Sequence, residues 1–305
     1  MTVIVVSWNT RDLTKKAIET LLENAGNVSM HVIVWDNASS DGSAEAIAQA
    51  FPDVEVIAHD ENLGFAEANN RAVRSVESEW VLLLNPDTET HPRAIENLLR
   101  FGKEHPEAGI VGGRTVFPDG SLNPASCWMK QTPWSVFCNA FGLSRVFRNS
   151  EVLNSEAIGG WRRDSVRTVD IVVGCFFLLR TSLWNELGGF TAKYFMYGEE
   201  ADMCLRAAKL GYRPMITPDA QIMHLLGAST KVRSDKQIKL MRAKMTLIKD
   251  HWHPAAVPFG QVMMWAWIAN RRLASQLLFW IAGRKAERDE WKRVWDNRHQ
   301  WLAGY

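Results

Sequence analysis

Short β-branched apolar runs alternate with longer stretches of helical spacing over the first hundred residues. The runs predict strands, and apolar residues at three- and four-residue intervals between them predict helices. The predicted strands are Val3–Val6, Val32–Trp35, Val54–Ile57 and Trp80–Leu84. The predicted helices are Leu13–Leu22, Ala44–Ala50, Ala66–Val76 and Pro92–Phe101, with Pro92 in the first turn of its helix. This alternation indicates an α/β fold with a mostly parallel sheet flanked by helices.

The second half of the chain is less regular. Phe117–Arg163 is rich in Pro, Gly, Asn and Ser, and we interpret it as long loops and short elements. After it, the pattern predicts a strand pair or one long strand, a helix ended by glycine, two strands around a Pro-Asp turn, and a helix. The strand pair or long strand is Val169–Arg180, and the helix Asp202–Leu210 ends before Gly211. The two strands are Arg213–Thr217 and Ala220–His224, on either side of Pro218-Asp219, and the last helix is Asp235–His251.

The tail contains an apolar stretch, Val262–Trp280, that Arg271 and Arg272 interrupt near its middle. Charges at a bilayer centre are unfavourable by roughly 2.5–3.5 kcal/mol each. The stretch therefore favours an interfacial amphipathic helix or a docked helical pair over a membrane span, and an oligomer interface is the further alternative.

Lys and Arg total 35 against 34 Asp and Glu, which argues against general nucleic-acid binding. The charge is uneven, because the residues from His251 onward carry eight Lys/Arg, four Asp/Glu and seven of the fourteen tryptophans. This composition indicates a tail that faces a membrane or a partner. The four cysteines form no CxxC pair, so we expect buried, reduced thiols in a cytosolic protein, and we expect no signal peptide.

Asp87 follows the apolar strand Trp80–Leu84 by three residues. Ligands of open α/β sheets bind at the carboxyl ends of the strands. A carboxylate there can hold a divalent cation against a diphosphate. The alternative is a cap for the helix that follows.

Further polar groups end other predicted elements. Asp36 at the end of the second strand suits a ribose hydroxyl or a base N–H. The alternative for this segment is a turn and helix cap built by Asn37, Ser40 and Asp41. Gly64 allows a close backbone approach, and Asn69 and Asn70 lie on the next helix.

Glu199, Glu200 and Asp202 form an acidic cluster near a predicted helix start. The cluster either complements the helix dipole or includes a general base, and Asp202 with Arg206 is an i,i+4 pair. His224 is a strand-end residue that is structural or a ligand. Gly227, Ser229 and Thr230 after it either donate to a phosphate or make a turn.

Taken together, the segments resemble the inverting glycosyltransferases of family 2, which have the GT-A fold. The resemblance runs from Thr2 to about Thr230, and its nearest subgroup is the rhamnosyltransferases of bacterial O-antigen, cell-wall and exopolysaccharide synthesis. The matching segments are Val3–Asn9, Asp36 with Asn37 and Ser39–Gly42, Asn62-Leu63-Gly64-Phe65, Asn85-Pro86-Asp87, Gly188-Gly189-Phe190, Phe195–Arg206 and the His224 to Thr230 segment.

The resemblance implies a GT-A catalytic domain over residues 1–230, with a donor half of about 1–115 and an acceptor half of about 116–230. A C-terminal helical region of 231–305, expected to associate with a membrane or a partner, completes the organisation. The donor-nucleotide residues that it implies are Val6, Ser7, Asn9, Asp36, Asn37, Asn62, Gly64, Phe65, Asn70, Asn85 and Pro86.

The resemblance also implies a metal site for Mg²⁺ or Mn²⁺ at Asp87, with His224 as a second contact. The first Asp of the family's DxD motif is absent, because Asn85 stands there. The family's Glu-Asp pair reads Glu199-Glu200, which makes Glu200 the expected base. Trp128, Trp161 and Tyr197 are expected to contact the acceptor, and the tryptophans are alternatively core residues.

The function that this implies is metal-dependent, inverting sugar transfer, with rhamnose from dTDP-rhamnose favoured. The expected acceptor is a saccharide or a polyprenyl-linked saccharide at the inner face of the cytoplasmic membrane, and a homo-oligomer is an option. One alternative is a non-catalytic sugar-nucleotide-binding or scaffold subunit. A nucleotidyltransferase would need a Gly-rich basic loop, which Val3–Arg11 lacks.

Overall fold

Twelve strands and twelve α-helices are present in the computed structural model, which describes residues 1–225 and 233–305. The strands are β1 (Thr2–Ser7), β2 (His31–Asn37), β3 (Glu55–His59), β4 (Trp80–Leu84), β5 (Thr88–Thr90), β6 (Ile110–Val116), β7 (Leu122–Asn123), β8 (Cys127–Trp128), β9 (Arg167–Thr168), β10 (Ile171–Val172), β11 (Phe176–Arg180) and β12 (Met215–His224). The helices are α1 (Arg11–Glu23), α2 (Ser43–Ala50), α3 (Gly64–Val73), α4 (Ala94–Glu104), α5 (Pro133–Ala140), α6 (Leu143–Val146), α7 (Thr181–Leu187), α8 (Glu199–Lys209), α9 (Arg233–His251), α10 (Val257–Ala282), α11 (Lys285–Asp296) and α12 (Arg298–Ala303).

The described residues form two compact units. The first, here called the α/β unit, consists of Met1–Trp128, Arg162–Phe195 and residues 199–225. The second, the helical unit, consists of Met129–Trp161, Met196–Gly198 and residues 233–305. The helical unit thus contains two segments from the first 230 residues. The functional division expected at residue 230 stays a prediction.

Ten strands of the α/β unit form one mixed sheet in the described part of the chain, with the order β3-β2-β1-β4-β11-β6-β12-β5 and with β7 and β9 beside β6 and β12. The pairings of β1 with β2 and β4, of β2 with β3 and of β6 with β12 are parallel, while β11 is antiparallel to β4 and β6. Strands β8 and β10 form a separate two-stranded sheet. The α/β prediction is confirmed, with an antiparallel strand in the middle of the sheet.

The central strands of this sheet are buried along their whole length. Every residue of β1 and β4 is buried, because helices cover both faces of a sheet whose strands are joined by helical crossovers. Side chains such as Val3, Val5, Val34 and Leu82 form its core, and each stabilises the fold by about 1.5–3 kcal/mol through burial. The core fixes the strand ends from which the polar side chains project.

The helical unit has a core of its own. Side chains of α9, α10, α11 and α12 build it, and Trp301 is fully buried there. The indole Nε1 of Trp301 donates to the carbonyl of Val294 at 2.9 Å, which satisfies its one polar atom. Within residues 1–225 and 233–305, no helix is long and apolar enough to cross a bilayer.

The structure corrects several predicted boundaries. The helix predicted from Pro92 begins at Ala94, after Arg93 in a left-handed conformation with φ 61°, so Pro92 is not in its first turn. The segment Val169–Arg180 contains two strands, β10 and β11, that lie in different sheets. The two strands predicted around Pro218-Asp219 are one strand, β12, whose register shifts between Thr217 and Gln221. Proline is tolerated at such an irregularity.

Other local features were missed or confirmed. The irregular region Phe117–Arg163 contains α5, whose start is capped by Thr132 and Ser135 in a reciprocal capping box. Helix α8 starts at Glu199, three residues earlier than predicted. The four cysteines are free and buried, as predicted.

Candidate active site

Strand pairing brings Asp87 and His224 together. The antiparallel pairing of β5 with β12 sets Thr88 opposite His224, and the amide of Leu225 donates to the carbonyl of Asp87 at 3.1 Å. The Nε2 atom of His224 then lies 3.3 Å from Oδ1 of Asp87, and both side chains are at most 10% exposed. Two residues separated by 137 positions thus form one buried polar pair at the end of the sheet.

The pair has an unusual electrostatic balance. Burial disfavours the imidazolium, but the nearby Cys175 and the hydrogen-bonded Asp87 stabilise it and raise the pKa of His224 to about 10. These contacts favour the protonated ring beside the Asp87 carboxylate. A divalent cation would take the place of that proton, because metal-binding imidazole is neutral.

The side chains of Asp87 and His224 fit a divalent cation that also binds a ligand. Among the described residues, no group of three or more His, Cys, Asp or Glu side chains is arranged for metal binding. Asp87 and His224 would supply two contacts, and diphosphate and water oxygens would complete the shell of a six-coordinate ion. Carboxylate oxygen suits Mg²⁺ and Mn²⁺, while imidazole suits the transition metal better.

The preceding residues make a tight turn between β4 and β5. The amide of Asn85 donates to the carbonyl of Cys175 at 3.1 Å, and the hydroxyl of Thr88 donates to the carbonyl of Asn85 at 2.7 Å. The backbone of Asn85 and Pro86 therefore fixes the position of Asp87. Their expected contacts with a nucleotide stay predictions.

Asp36 lies at the end of β2, in register with Ser7 on β1. Its Oδ2 accepts from the amide of Ser39 at 2.9 Å, while its Oδ1 is buried and has no hydrogen-bond partner among residues 1–225 and 233–305. A buried acceptor of this kind is suited to a ligand's hydroxyl or N–H. The neighbouring loop is held by Asn9, whose Oδ1 accepts from the amide of Ser40 at 2.8 Å.

The hydroxyls at the end of β1 form a small cluster. The Oγ of Ser7 lies 3.2 Å from Oγ1 of Thr10 and 3.1 Å from Oγ1 of Thr14, and all three side chains are buried. Val6 is buried beside Ser7. Donor contacts of Val6 and Ser7 stay predictions, and the structure gives the Ser7 hydroxyl partners inside the fold.

Two asparagines fix the loop that leads into α3. The Oδ1 of Asn37 accepts from the amide of Leu63 at 2.9 Å, and its Nδ2 donates to Oδ1 of Asn62 at 3.0 Å and to the carbonyl of Gly64 at 3.1 Å. The same Oδ1 of Asn62 accepts from the amide of Gly64 at 2.9 Å. Asn37 and Asn62 thus have structural partners, and their predicted donor contacts would be additional to these.

Gly64 is a point of close backbone approach, as the sequence predicted. Its φ is +77°, and a Cβ placed on it would lie 2.2 Å from the carbonyl oxygen of Phe195. The same oxygen accepts from the amide of Phe65 at 2.9 Å. A Cβ on Gly174 would lie 3.3 Å from the Phe65 ring and 3.8 Å from Cβ of Glu200. The donor-loop residue Phe65 and the expected base therefore both lie next to Gly174.

The acidic pair begins α8, where the free backbone N–H groups of a helix favour negative charge. Glu199 is buried and Glu200 is half-buried. Burial, and secondarily the charge of Glu200, raises the pKa of Glu199 well above its usual range. The Oε2 of Glu199 has no hydrogen-bond partner in the described part of the chain. The raised pKa favours the protonated form of Glu199, and the half-buried Glu200 is the better candidate for a base.

The remaining polar residues of this region have structural partners. Asp202 accepts from Thr191 at 2.5 Å and from Arg206 at 2.8 Å, and the Arg206 guanidinium also donates to the carbonyls of Leu187 and Gly189. The Asp202–Arg206 pair thus clamps the loop before the acidic pair, as the i,i+4 spacing indicated.

Asn70 clamps the same loop from α3. Its Nδ2 donates to the carbonyl of Phe190 at 2.9 Å and its Oδ1 accepts from the amide of Phe190 at 2.8 Å. Both halves of the amide are therefore engaged with backbone 120 residues away. The donor contact predicted for Asn70 stays a prediction, and its structural role could not be read from the sequence.

The expected acceptor residues are distributed over both units. Trp128 lies on β8 in the α/β unit, and Trp161 and Tyr197 lie in the helical unit. Their acceptor role stays a prediction. The possible phosphate contacts Gly227, Ser229 and Thr230 lie outside the described residues.

Comparison with known proteins identifies the family. The model of glycosyl transferase family 2 matches residues 2–185. An N-acetylglucosaminyl-diphospho-decaprenol L-rhamnosyltransferase of Mycobacterium tuberculosis is 28% identical over 226 residues, which cover 65% of this chain and 67% of that protein. Rhamnosyltransferase WbbL of Escherichia coli is 26% identical, over 73% of this chain and 82% of its own.

Solved structures share the fold. The mannosyltransferase PcManGT from Pyrobaculum calidifontis, solved in complex with GDP-Man and Mn²⁺, aligns over 99% of this chain and 84% of its own, with a TM-score of 0.57 and 19% identity. At that identity the likeness concerns the fold, which is the expected GT-A arrangement. The family model matches more than half of this chain, and the chain therefore belongs to glycosyl transferase family 2 and is a glycosyltransferase.

Proposed function

We propose that the protein is a metal-dependent, inverting rhamnosyltransferase of bacterial polysaccharide synthesis, with dTDP-rhamnose as its donor. The observation that carries the metal and donor part is the buried pair of Asp87 and His224 at the carboxyl end of the sheet. The rhamnose part rests on the two relatives that are named as rhamnosyltransferases.

In the proposed reaction, Glu200 accepts a proton from a hydroxyl of the acceptor sugar. That oxygen attacks the anomeric carbon of the donor as the bond to the nucleoside diphosphate breaks. The transition state has oxocarbenium character, and a single displacement inverts the anomeric centre. The raised pKa of Glu199 favours its protonated form, which supports Glu200 as the member of the pair that acts as base.

The donor would bind along the ends of β1, β2 and β4. Asp36 would accept a hydrogen bond from the nucleoside through Oδ1, the atom that has no partner among the described residues. A divalent cation at Asp87 and His224 would offset the charge of the leaving diphosphate. The imidazole favours Mn²⁺ over Mg²⁺ as that cation.

The donor assignment is tested by thermal shift with separate nucleotides. We expect dTDP with Mn²⁺ to raise the melting temperature more than UDP or GDP with Mn²⁺. We also expect transfer from dTDP-rhamnose to a polyprenyl-linked saccharide. Equal shifts with all three nucleotides and no transfer from dTDP-rhamnose would remove the donor assignment while leaving the family assignment intact.

The acceptor is proposed to be lipid-linked because the helical unit exposes an apolar surface. Twelve of the eighteen exposed large hydrophobic side chains of the described residues belong to this unit. On α10, Leu273, Leu277, Trp280 and Ile281 are 61–81% exposed and follow helical spacing, so they share one face. The basic residues after α10 would add attraction to anionic lipid. We therefore propose peripheral contact with the cytoplasmic membrane through this face.

Cosedimentation with vesicles of phosphatidylglycerol and phosphatidylcholine tests the membrane contact. We expect Leu277→Glu with Trp280→Glu to lower the bound fraction, because a charge replaces apolar surface that would enter the bilayer. Leu210→Glu is the matched control, since Leu210 is 51% exposed in the α/β unit. An equal fall in the vesicle-bound fraction for the double variant and for Leu210→Glu would refute the proposed membrane-binding face.

A further inference from the structure

The loop Met196–Gly198 leads directly into the acidic pair and has a strained backbone. Tyr197 has a φ of +71° and Gly198 a φ of +92°, so two consecutive residues are left-handed. Glycine adopts this conformation freely, but a tyrosine does so at an energetic cost. Such backbone persists only where surrounding contacts hold it, and it recurs at functional sites.

A tyrosine distant in sequence makes one of those contacts. The hydroxyl of Tyr305 donates to the carbonyl of Met196 at 2.7 Å, across 109 positions of sequence and within the helical unit. The contact holds the carbonyl of Met196, the residue before Tyr197, and so constrains the backbone where the left-handed segment begins. Glu199 follows three residues after Met196.

Tyr305 is itself held firmly by α9. Its amide donates to Oγ1 of Thr246 at 2.8 Å, and the guanidinium carbon of Arg242 lies 4.4 Å from the centre of its ring. The Nε of Arg242 donates to the carbonyl of Gly304 at 2.8 Å. A Cβ on Gly304 would lie 2.8 Å from Oγ1 of Thr246, so the backbone packs closely here. The hydroxyl is thus presented by a fixed scaffold.

We propose that Tyr305 is a positioning residue for the transfer reaction. Its hydroxyl holds the carbonyl of Met196, which keeps the left-handed Tyr197-Gly198 backbone in place, and the acidic pair Glu199-Glu200 follows that backbone directly in sequence. The inference rests on the proposed role of Glu200 as base. Tyr305 is proposed to act through the loop and not on a reacting atom.

The variant that isolates this contact is Tyr305→Phe, because it keeps the ring and its contact with Arg242 and removes the hydroxyl alone. We expect kcat to fall about 2- to 10-fold, as for the loss of one hydrogen bond, with the KM for donor unchanged. We also expect faster amide hydrogen exchange at residues 197–199. Tyr212→Phe in the α/β unit removes the same atom and is the matched control, with neither change expected.

The inference requires that Tyr305→Phe lowers kcat and also speeds amide exchange at residues 197–199. A kcat within twofold of the wild-type value, or an unchanged exchange rate at residues 197–199, overturns the inference. A donor KM that rises as kcat falls also overturns it, since this indicates that the change disturbs donor binding. The exchange measurement does not depend on the base assignment. Transfer retained by Glu200→Gln would therefore refute the base, while exchange unaltered by Tyr305→Phe would refute the positioning role.

Discussion

Replacing Gly64 by alanine is expected to destabilise the α/β unit strongly, because the added methyl group meets the backbone of Phe195. The Cβ would lie 2.2 Å from the Phe195 carbonyl oxygen and 2.8 Å from Cδ2 of its ring. The oxygen cannot move away without losing its 2.9 Å hydrogen bond from the amide of Phe65. The change also forces a Cβ into a left-handed conformation, at φ +77°.

The magnitude follows from these terms. A left-handed alanine costs about 1 kcal/mol, and loss of the hydrogen bond costs about 1 kcal/mol. Residual strain from displaced backbone adds about 1 kcal/mol, which gives a total near 3 kcal/mol. Gly42 is the matched control, because its φ is +76° and nothing lies within 4 Å of its added Cβ. Gly42→Ala should therefore show the left-handed cost alone, about 1 kcal/mol.

Urea unfolding of the two variants and the wild type, followed by circular dichroism, measures this difference. We expect the midpoint for Gly64→Ala to fall well below that for Gly42→Ala. Equal midpoints for the two variants would mean that the approach of Phe195 to Gly64 places no constraint on a side chain at position 64.

Three further predictions concern charged groups. The raised pKa of Glu199 means that the folded state binds its proton more tightly, so wild-type stability should fall as the pH rises above the ordinary glutamate pKa of 4.5. In Glu199→Gln that decline should be smaller. Melting temperatures of the wild type and the variant that fall in parallel from pH 5 to 8 would contradict this prediction. Asp87→Asn should abolish the Mn²⁺-dependent part of the thermal shift with a nucleoside diphosphate, and a retained shift would exclude Asp87 as a ligand. Arg206→Lys should lower the free energy of unfolding by about 1.5–3 kcal/mol in urea titrations, because a lysine cannot reach Asp202 and two carbonyls together; a loss under about 0.5 kcal/mol would show that the clamp is weak.

The regular first part of the fold could be predicted because local signals agree there. The strand Trp80–Leu84 has the bounds that its apolar run indicated, and Asp87 follows it as expected. The β12 strand was divided in error, since Pro218 normally ends a strand and only the register shift beside β6 accommodates it. The start of α8 was also missed, because consecutive glutamates do not reveal which of them is the first helical residue.

The candidate site could be predicted as a set of residues but not as a set of contacts. The type and order of Asp36, Asp87, Glu200 and His224 indicated the chemistry, and the family match supports an enzyme over a scaffold subunit. The Asp87–His224 contact depends on the pairing of β5 with β12, and β5 was not predicted. The two hydrogen bonds of Asn70 to Phe190 span 120 residues, so no local pattern could indicate them.

Glu200 is proposed to be the base that takes the acceptor's proton. The most direct test measures sugar transfer and donor binding for Glu200→Gln in the same preparation. We predict that kcat falls at least about 100-fold, because a glutamine cannot accept the proton, and that the donor Kd stays within about threefold of the wild-type value. Transfer at the wild-type rate by Glu200→Gln would show that Glu200 is not the base.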